Sequence, residues 1–258
     1  MIFCCLFEKI PTLDSLPLPL AADHIPHLGY DAVIFGYNGT QLKILVLEYH
    51  NTGLFALPGG FVKHDEHLDE AVKRGLTERT GLRQVYLEQF YTFGNADRAT
   101  APVMKKILEA NGFHVENGHW LLDRFISVAY YALINYDEVF PRPDAFSDSI
   151  NWYPIDGLPP LMMDHEQIVK KAHETLRENL DRKLISTNLL PARFTMKDLQ
   201  QLYEAILGEK LRRTTFQRKM LAMDILLRHE KLFTGGAHKA PYLYSFKQPG
   251  PEIYHEHI

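Results

Sequence analysis

Residues 56–82 read ALPGGFVKHDEHLDEAVKRGLTERTGL. The run is a strand, a Gly-Gly turn and a helix from about Leu68 to Arg79, with Gly81 placed to end it. Gly59 and Gly60 serve the sharpness of the loop rather than a nucleotide by themselves. His64 and His67 flank that loop beside Asp65 and Glu66, a setting in which histidines are solvated rather than zinc ligands. Glu70 and Arg74 lie four apart, a routine ion-pair spacing.

Working outward, LGYDAVIFGYNGTQLKILVLEY (28–49) gives two β-rich runs around Tyr37-Asn38-Gly39, and Asn-Gly is the strongest short hairpin signal. VYLEQFYTF (85–93) and RFISVAYYALI (124–134) are β-branched and aromatic runs. The polar stretch between them holds a short amphipathic pattern, VMKKILEANGF (103–113), and reads as an insertion over a sheet. SINWYPIDGLPP (149–160) supplies a last strand and a turn, and HEQIVKKAHETLRENLDRKL (165–184) a helix linking the two halves of the chain.

The spacing of Gly60, Glu66, Arg74, Leu76, Glu78, Gly81 and Leu82 resembles the Nudix signature: Gly, five residues, Glu, seven residues, Arg-Glu, an aliphatic, any residue, Glu-Glu, any residue, Gly and an aliphatic. The resemblance implies an α/β protein, a Nudix-fold α/β/α sandwich with a mixed sheet. Two positions depart from the signature. Gly75 stands where the first paired glutamate belongs and Arg79 where the last one does. In that family these carboxylates bind Mg²⁺, which requires hard oxygen ligands in a tight octahedral shell. A guanidinium about 4 Å from a divalent ion would repel it by roughly 8 kcal/mol at an effective dielectric of about 20. We therefore expect no catalytic residue, no metal and no cofactor, and a pocket that binds without turning over. Two readings of Arg79 stay open: it holds a phosphate or hydroxyls where metal would sit, or it pairs with Glu78 or Glu66 and closes the site. The competing reading is a hydrolase of ADP-ribose or another nucleoside diphosphate derivative, with Mg²⁺ held by Glu66, Glu70 and Glu78.

The C-terminal block has its own grammar. Thr195 with Asp198 suggests a capping box before Met196, Leu199, Leu202, Tyr203 and Ile206 at helical spacing, and Gly208 closes that helix. A short turn leads to RTTFQRKMLAMD (213–224), so helix, turn and helix follow in order. Stepping about 100° per residue, Phe216, Met220 and Met223 face the core. Thr214, Gln217 and Arg218 then point outward, with Arg213, Thr215 and Lys219 on the flanks, the types that read base edges and clamp phosphates. KLFTGGAHKAPYLYSFK (231–247) reads as a hairpin around Gly235-Gly236, with His238 and Lys239 at a basic tip.

Residues 189–221, with LYSF at 243–246, resemble the winged-helix half of the Nudix-related bacterial transcription regulators, and the Nudix and winged-helix parts stand here in that family's order. The resemblance implies a double-stranded DNA operator, a small-molecule effector of sugar or nucleotide-sugar kind, and a homodimer. It runs closest to the sugar-responsive branch of arabinose regulators. Between residues 95 and 123 the chain departs from the family, in an insertion carrying Asp97, Arg98 and Lys105 and expected near the pocket.

Charge divides the same way. Lys and Arg number 17 against 25 Asp and Glu over residues 1–189, and 11 against 5 over residues 190–250. A positive block on a chain of net charge −4 is the footprint of one module that meets nucleic acid. We expect an N-terminal extension (1–27), a Nudix-like effector domain (28–160), a winged-helix DNA-binding domain (161–250) and a tail (251–258). The cysteines, Cys4 and Cys5, are adjacent and cannot staple a fold, which fits a reducing cytoplasm. MIFCCLF is too short to span a membrane and lacks a basic start, so we read neither signal peptide nor anchor.

Overall fold

The computed structural model describes residues 22–83, 85–96, 98, 101–181, 189–233 and 240–247; the MIFCCLF run, Asp97 and the expected wing tip with His238 and Lys239 lie outside the described residues. The first half grows from one long strand. β1 (His24–Tyr37) turns back into β2 (Leu42–Tyr49), with Phe35 opposite Ile44 and Tyr37 opposite Leu42. Asn38 closes that turn by accepting the Thr40 and Gln41 amides on Oδ1 at 3.1 and 2.9 Å.

β3 (Phe55–Ala56) pairs with β2, and β4 (Gly59–Lys63) pairs with the first part of β1. Helix α1 (Leu68–Thr80) leads to β5 (Tyr86–Phe93). Helix α2 (Ala101–Ala110) and a 3-10 turn at Trp120–Leu122 occupy the expected insertion. β6 (Ile126–Ile134) then runs parallel to β1 and antiparallel to β5, and β7 (Ser147–Pro154) returns to pair with β2. The result is a seven-stranded mixed sheet ordered β3-β2-β1-β6-β5, with β4 on β1 and β7 on β2.

Alternation along β1 divides the core. Ala32 and Ile34 pack with Leu45, Val72, Leu76 and Tyr130 on the α1 side. Val33 and Phe35 point to the other face, where α3 (His165–Asn179) lays Ile168, Val169, Ala172 and Leu176 against the sheet. Ile168, Val169 and Leu176 are each at most 4% exposed, and their burial contributes about 1.5–3 kcal/mol apiece. Helix, sheet and helix form the expected α/β/α sandwich.

In the second half β8 (Phe194–Thr195) runs straight into α4 (Met196–Leu207), then α5 (Arg213–Ala222), β9 (Leu226–Lys231) and β10 (Tyr242–Phe246) follow, with strands ordered β8-β10-β9. The capping box is formed: the Thr195 amide donates to Asp198 Oδ2 at 2.8 Å and the Asp198 amide to Thr195 Oγ1 at 3.2 Å. Gly208, at φ 73°, ends α4 in the left-handed region, as Gly81 ends α1 at φ 76°.

Two boundaries differ from expectation. Helix α5 stops at Ala222 rather than Asp224, because Asp224 takes φ 54°. The hairpin's first strand is Leu226–Lys231, ahead of the 231–247 run, since its charged sequence LLRHEK is held by backbone pairing to β10 rather than by an apolar pattern. Phe35, Leu176, Leu202, Ile206, Phe216 and Met220 belong to one buried cluster, so the core is continuous from the first sheet through α3 to α5. Among the described residues no helix is long and apolar enough to cross a membrane.

Candidate functional site

The glycine turn and α1 meet over Tyr30. A Cβ at Gly75 would lie 2.1 Å from the Tyr30 hydroxyl oxygen, and one at Gly60 would lie 2.7 Å from it. Both glycines make room for a phenol that is only 4% exposed. Burial pushes the Tyr30 hydroxyl pKa up, against the pull of Arg79 and Arg74, so the group stays neutral. A glutamate at position 75 has no space here.

Arg79 is buried beside it. Its NH2 donates to the Asp144 carboxylate at 2.8 Å and to the Gly59 carbonyl at 3.0 Å, and its NH1 to the Gly75 carbonyl at 3.2 Å. Of the two readings of Arg79, the pairing with Glu78 or Glu66 gives way to one with Asp144, 65 residues downstream. Glu66 is taken by Arg74, whose Nε and NH2 donate to its two carboxylate oxygens at 3.0 and 2.7 Å. These bonds hold the Glu66 pKa down. Arg74 also lies 3.7 Å from Glu78. The routine Glu70–Arg74 pair gives way to another use of Glu70, which accepts the His67 amide at 2.9 Å as the N-cap lock of α1.

The Nudix signature implies Mg²⁺, and these residues do not fit it. Gly75 offers no oxygen, Arg79 brings a positive charge, Glu66 is tied to Arg74 and Glu70 to the backbone. Among the described residues no group of three or more His, Cys, Asp or Glu is arranged to hold a metal.

A cavity of about 310 Å³ opens next to this cluster, with Arg74, Glu78 and Arg79 on one wall. That is the lower end of small-molecule pocket volumes, about 300–1,000 Å³. The insertion helps to enclose it: Met104, Ile107 and Leu108 of α2, with Leu121, line the cavity. Arg98 reaches its floor, where Nε donates to Asp164 at 2.9 Å and NH2 to Asp31 at 3.0 Å. Lys105 points away and lies 3.9 Å from Glu109 on the exposed side of α2. Ser127 donates to Asp31 at 2.5 Å, and His165 Nδ1 accepts the Leu57 amide at 3.0 Å. Burial lowers the His165 pKa, so its imidazole is neutral.

Sequence reasoning missed Asp31, Ser127, Asp144, Asp164 and His165. Only Asp31 carried a signal, as a carboxylate heading the apolar run AVIF in a strand.

In the second half α4, turn and α5 stand as expected. Glu204 pins the turn, accepting from Gln200 at 2.9 Å, Lys210 at 2.7 Å and the Leu211 amide at 3.0 Å. Phe216 packs edge-on against Tyr203 at 5.1 Å and Met220 is fully buried, which turns the opposite face of α5 outward. Arg213, Thr214, Thr215, Arg218 and Lys219 are exposed there, with Gln217 half-buried. Lys219 has an acidic neighbour, Asp181, at 2.6 Å. On the strands behind, Arg228 and Lys231 stand over the Tyr242 ring at 4.7 and 5.3 Å.

A Nudix-type sandwich with Tyr30 in the space of a side chain at position 75 and Arg79 tied to Asp144, joined to a helix-turn-helix backed by a three-stranded sheet, defines a DNA-binding transcription regulator with a ligand-sensing domain. Residues 26–172 match the family model of the NUDIX domain, and residues 186–246 match that of the NrtR DNA-binding winged helix domain. The crystal structure of Shewanella oneidensis NrtR is 30% identical, over 86% of this chain and 94% of that one, with a TM-score of 0.66. Its complex with a 27mer DNA is likewise 30% identical, over 85% and 93%, with a TM-score of 0.66. The ADPR responsive transcriptional repressor NtrR of Acinetobacter baylyi is 29% identical over 208 residues, 78% of this chain and 74% of that protein. The chain belongs to the NrtR family of Nudix-related transcription regulators. The two crystal structures are of an NrtR protein and the Acinetobacter relative is an ADPR responsive repressor, whereas the sequence suggested the arabinose regulators.

Proposed function

We propose that the protein is a cytoplasmic repressor that releases its operator when its Nudix-like pocket binds ADP-ribose or a close nucleoside diphosphate sugar, and that it does not hydrolyse this effector. One observation carries the reading: the Tyr30 hydroxyl takes the space that a side chain at position 75 would need, Arg79 stands where the signature has its last glutamate, and a cavity of about 310 Å³ stays open beside them. Arg79 supplies a fixed cation for a diphosphate without the ion needed to activate water. The ADPR responsive relative supports the choice of effector.

Arg218, Gln217 and Thr214 read base edges, Arg213, Thr215 and Lys219 hold phosphates, and His238 and Lys239, outside the described residues, add backbone contacts. A homodimer on a two-fold operator with half-sites about one helical turn apart is the geometric expectation for paired units of this kind. We place the effector half in residues 28–160 and the DNA-binding half in 161–250; the separate sheets support two halves, while α3 of the second span packs on the first sheet and opens at the cavity.

Calorimetric titration with ADP-ribose, run beside arabinose and ribose, tests the effector. ADP-ribose at 100 times its dissociation constant should stabilise the fold by about 2.7 kcal/mol. The same ligand with Mg²⁺ should stay intact, and turnover of about 1–10 per second, ordinary for enzymes, would overturn the reading.

A further inference from the structure

The floor of the cavity holds an unusual concentration of buried polar chemistry. Asp31, Arg98, Ser127 and His165 are each at most 8% exposed, yet all four line the cavity. Asp31 Oδ2 accepts from both Arg98 and Ser127, whereas Oδ1 has His165 Nε2 at 3.6 Å, too far for a hydrogen bond. Because His165 Nδ1 accepts the Leu57 amide, the ring proton sits on Nε2. That buried N–H has no hydrogen-bond partner. Arg98 is also incompletely used, since its NH1 reaches only the Phe125 carbonyl at 3.5 Å.

A ligand group meeting this floor must both donate and accept. Asp31 offers a carboxylate oxygen, while Arg98 and His165 offer N–H groups. A phosphate, which only accepts, would face the Asp31 carboxylate and be repelled. An aliphatic group would leave the ions desolvated and unmatched. Sugar hydroxyls satisfy both sides: each donates to a carboxylate and accepts from a guanidinium or imidazole.

We propose that Asp31, Arg98 and His165 form a subsite for the vicinal diol of a ribosyl group, the one at the end of the effector that carries no base. The inference rests on the ADP-ribose reading and adds to it which part of the ligand is read by which residues. Occupation supplies His165 Nε2–H with the acceptor it lacks, and the apolar side chains of Met104, Ile107 and Leu108 close over the sugar's carbon face.

The test is calorimetric titration of the full-length protein with ADP-ribose, ADP and free D-ribose, repeated on His165→Asn. Asparagine keeps an acceptor near the Leu57 amide and removes the Nε2 donor. The parent should bind ADP-ribose at least about 10-fold more tightly than ADP, as expected for one or two hydrogen bonds to charged groups. His165→Asn should bring that ratio down several-fold. Ser127→Ala, which removes one bond to Asp31 and no charge, carries the same comparison should His165→Asn fail to fold. Equal affinity of the parent for ADP and ADP-ribose, or equal loss for both ligands in the variants, would overturn the subsite and leave these residues as fold support or as readers of the adenine. Tight binding of free D-ribose, weakened by the same substitutions, would uphold the diol subsite while overturning the nucleotide effector. Failure of the parent to bind any of the three would sink the effector reading and the subsite with it.

Discussion

At the scale of single residues, the two departures from the Nudix signature are parts of one arrangement. Gly75 exists because the Tyr30 hydroxyl occupies the space of its Cβ, and Arg79 is fastened to Asp144, Gly59 and Gly75. A methyl at Gly75 gains about 1 kcal/mol in helix propensity and loses about 1–3 kcal/mol to overpacking. Gly75→Ala should therefore lower the urea midpoint in the parent, and by less in a Tyr30→Phe background, where the hydroxyl is gone. Equal losses in both backgrounds would show that the phenol is not what keeps position 75 bare. Asp144 places a negative charge 2.8 Å from Arg79, where an anionic effector would compete for the same guanidinium. Asp144→Asn should tighten ADP-ribose binding several-fold; weaker binding would mean that Asp144 serves to orient Arg79.

At the scale of elements, the turn between α4 and α5 depends on one carboxylate. Lys210, Gln200 and the Leu211 amide hold Glu204 down to about 2 from its ordinary 4.5. A depressed folded pKa means that this stabilisation is present above about 4.5 and is lost as pH falls toward about 2. Glu204→Gln should melt below the parent at pH 7, and the gap should shrink on acidification through that window. A gap independent of pH would assign the loss to packing. On α5, Arg218→Ala should cost about 1–3 kcal/mol on the cognate operator and blur its sequence preference. Lys219→Ala should weaken all duplexes alike and reduce the salt slope by about one unit, Asp181 giving way to phosphate in the parent complex. Gel-shift titrations at two salt concentrations check both, and two variants that bind like the parent would remove α5 as the reader.

At the scale of the molecule, α3 joins the two functions. It begins at the cavity floor with His165, and about two turns on, His173 Nε2 donates to the Ile206 carbonyl near the end of α4 at 2.7 Å. Its apolar face is shared by the first sheet and by the helix-turn-helix within one buried cluster. Such a core should unfold as a unit, so calorimetry on the full chain should give one transition. Leu176→Ala should lower it by about 2–5 kcal/mol of stability, the range for an emptied core leucine. Two resolved transitions, only one of them shifted by Leu176→Ala, would show that the halves are stabilised independently.

The sequence alone determined the features written in local spacing. The register of Gly60, Glu66, Arg74, Glu78 and Gly81 identified the strand, turn and helix of a Nudix sandwich, because a signature of fixed intervals is a property of one continuous segment. The Thr195–Asp198 box, Gly208 and the apolar stripe through Phe216 and Met220 identified the helix-turn-helix for the same reason. The tertiary structure decided what those residues meet. Arg79 reaches Asp144 across 65 residues, Arg98 reaches Asp31 across 67 and Asp164 across 66, and His165 reaches Leu57 across 108. No periodicity connects partners so far apart; they meet because β6 slots between β1 and β5, bringing the ends of distant strands and the start of α3 to one cavity. A helix period shows which face is buried, but the identity of a buried charge's partner is set by the packing of the whole chain.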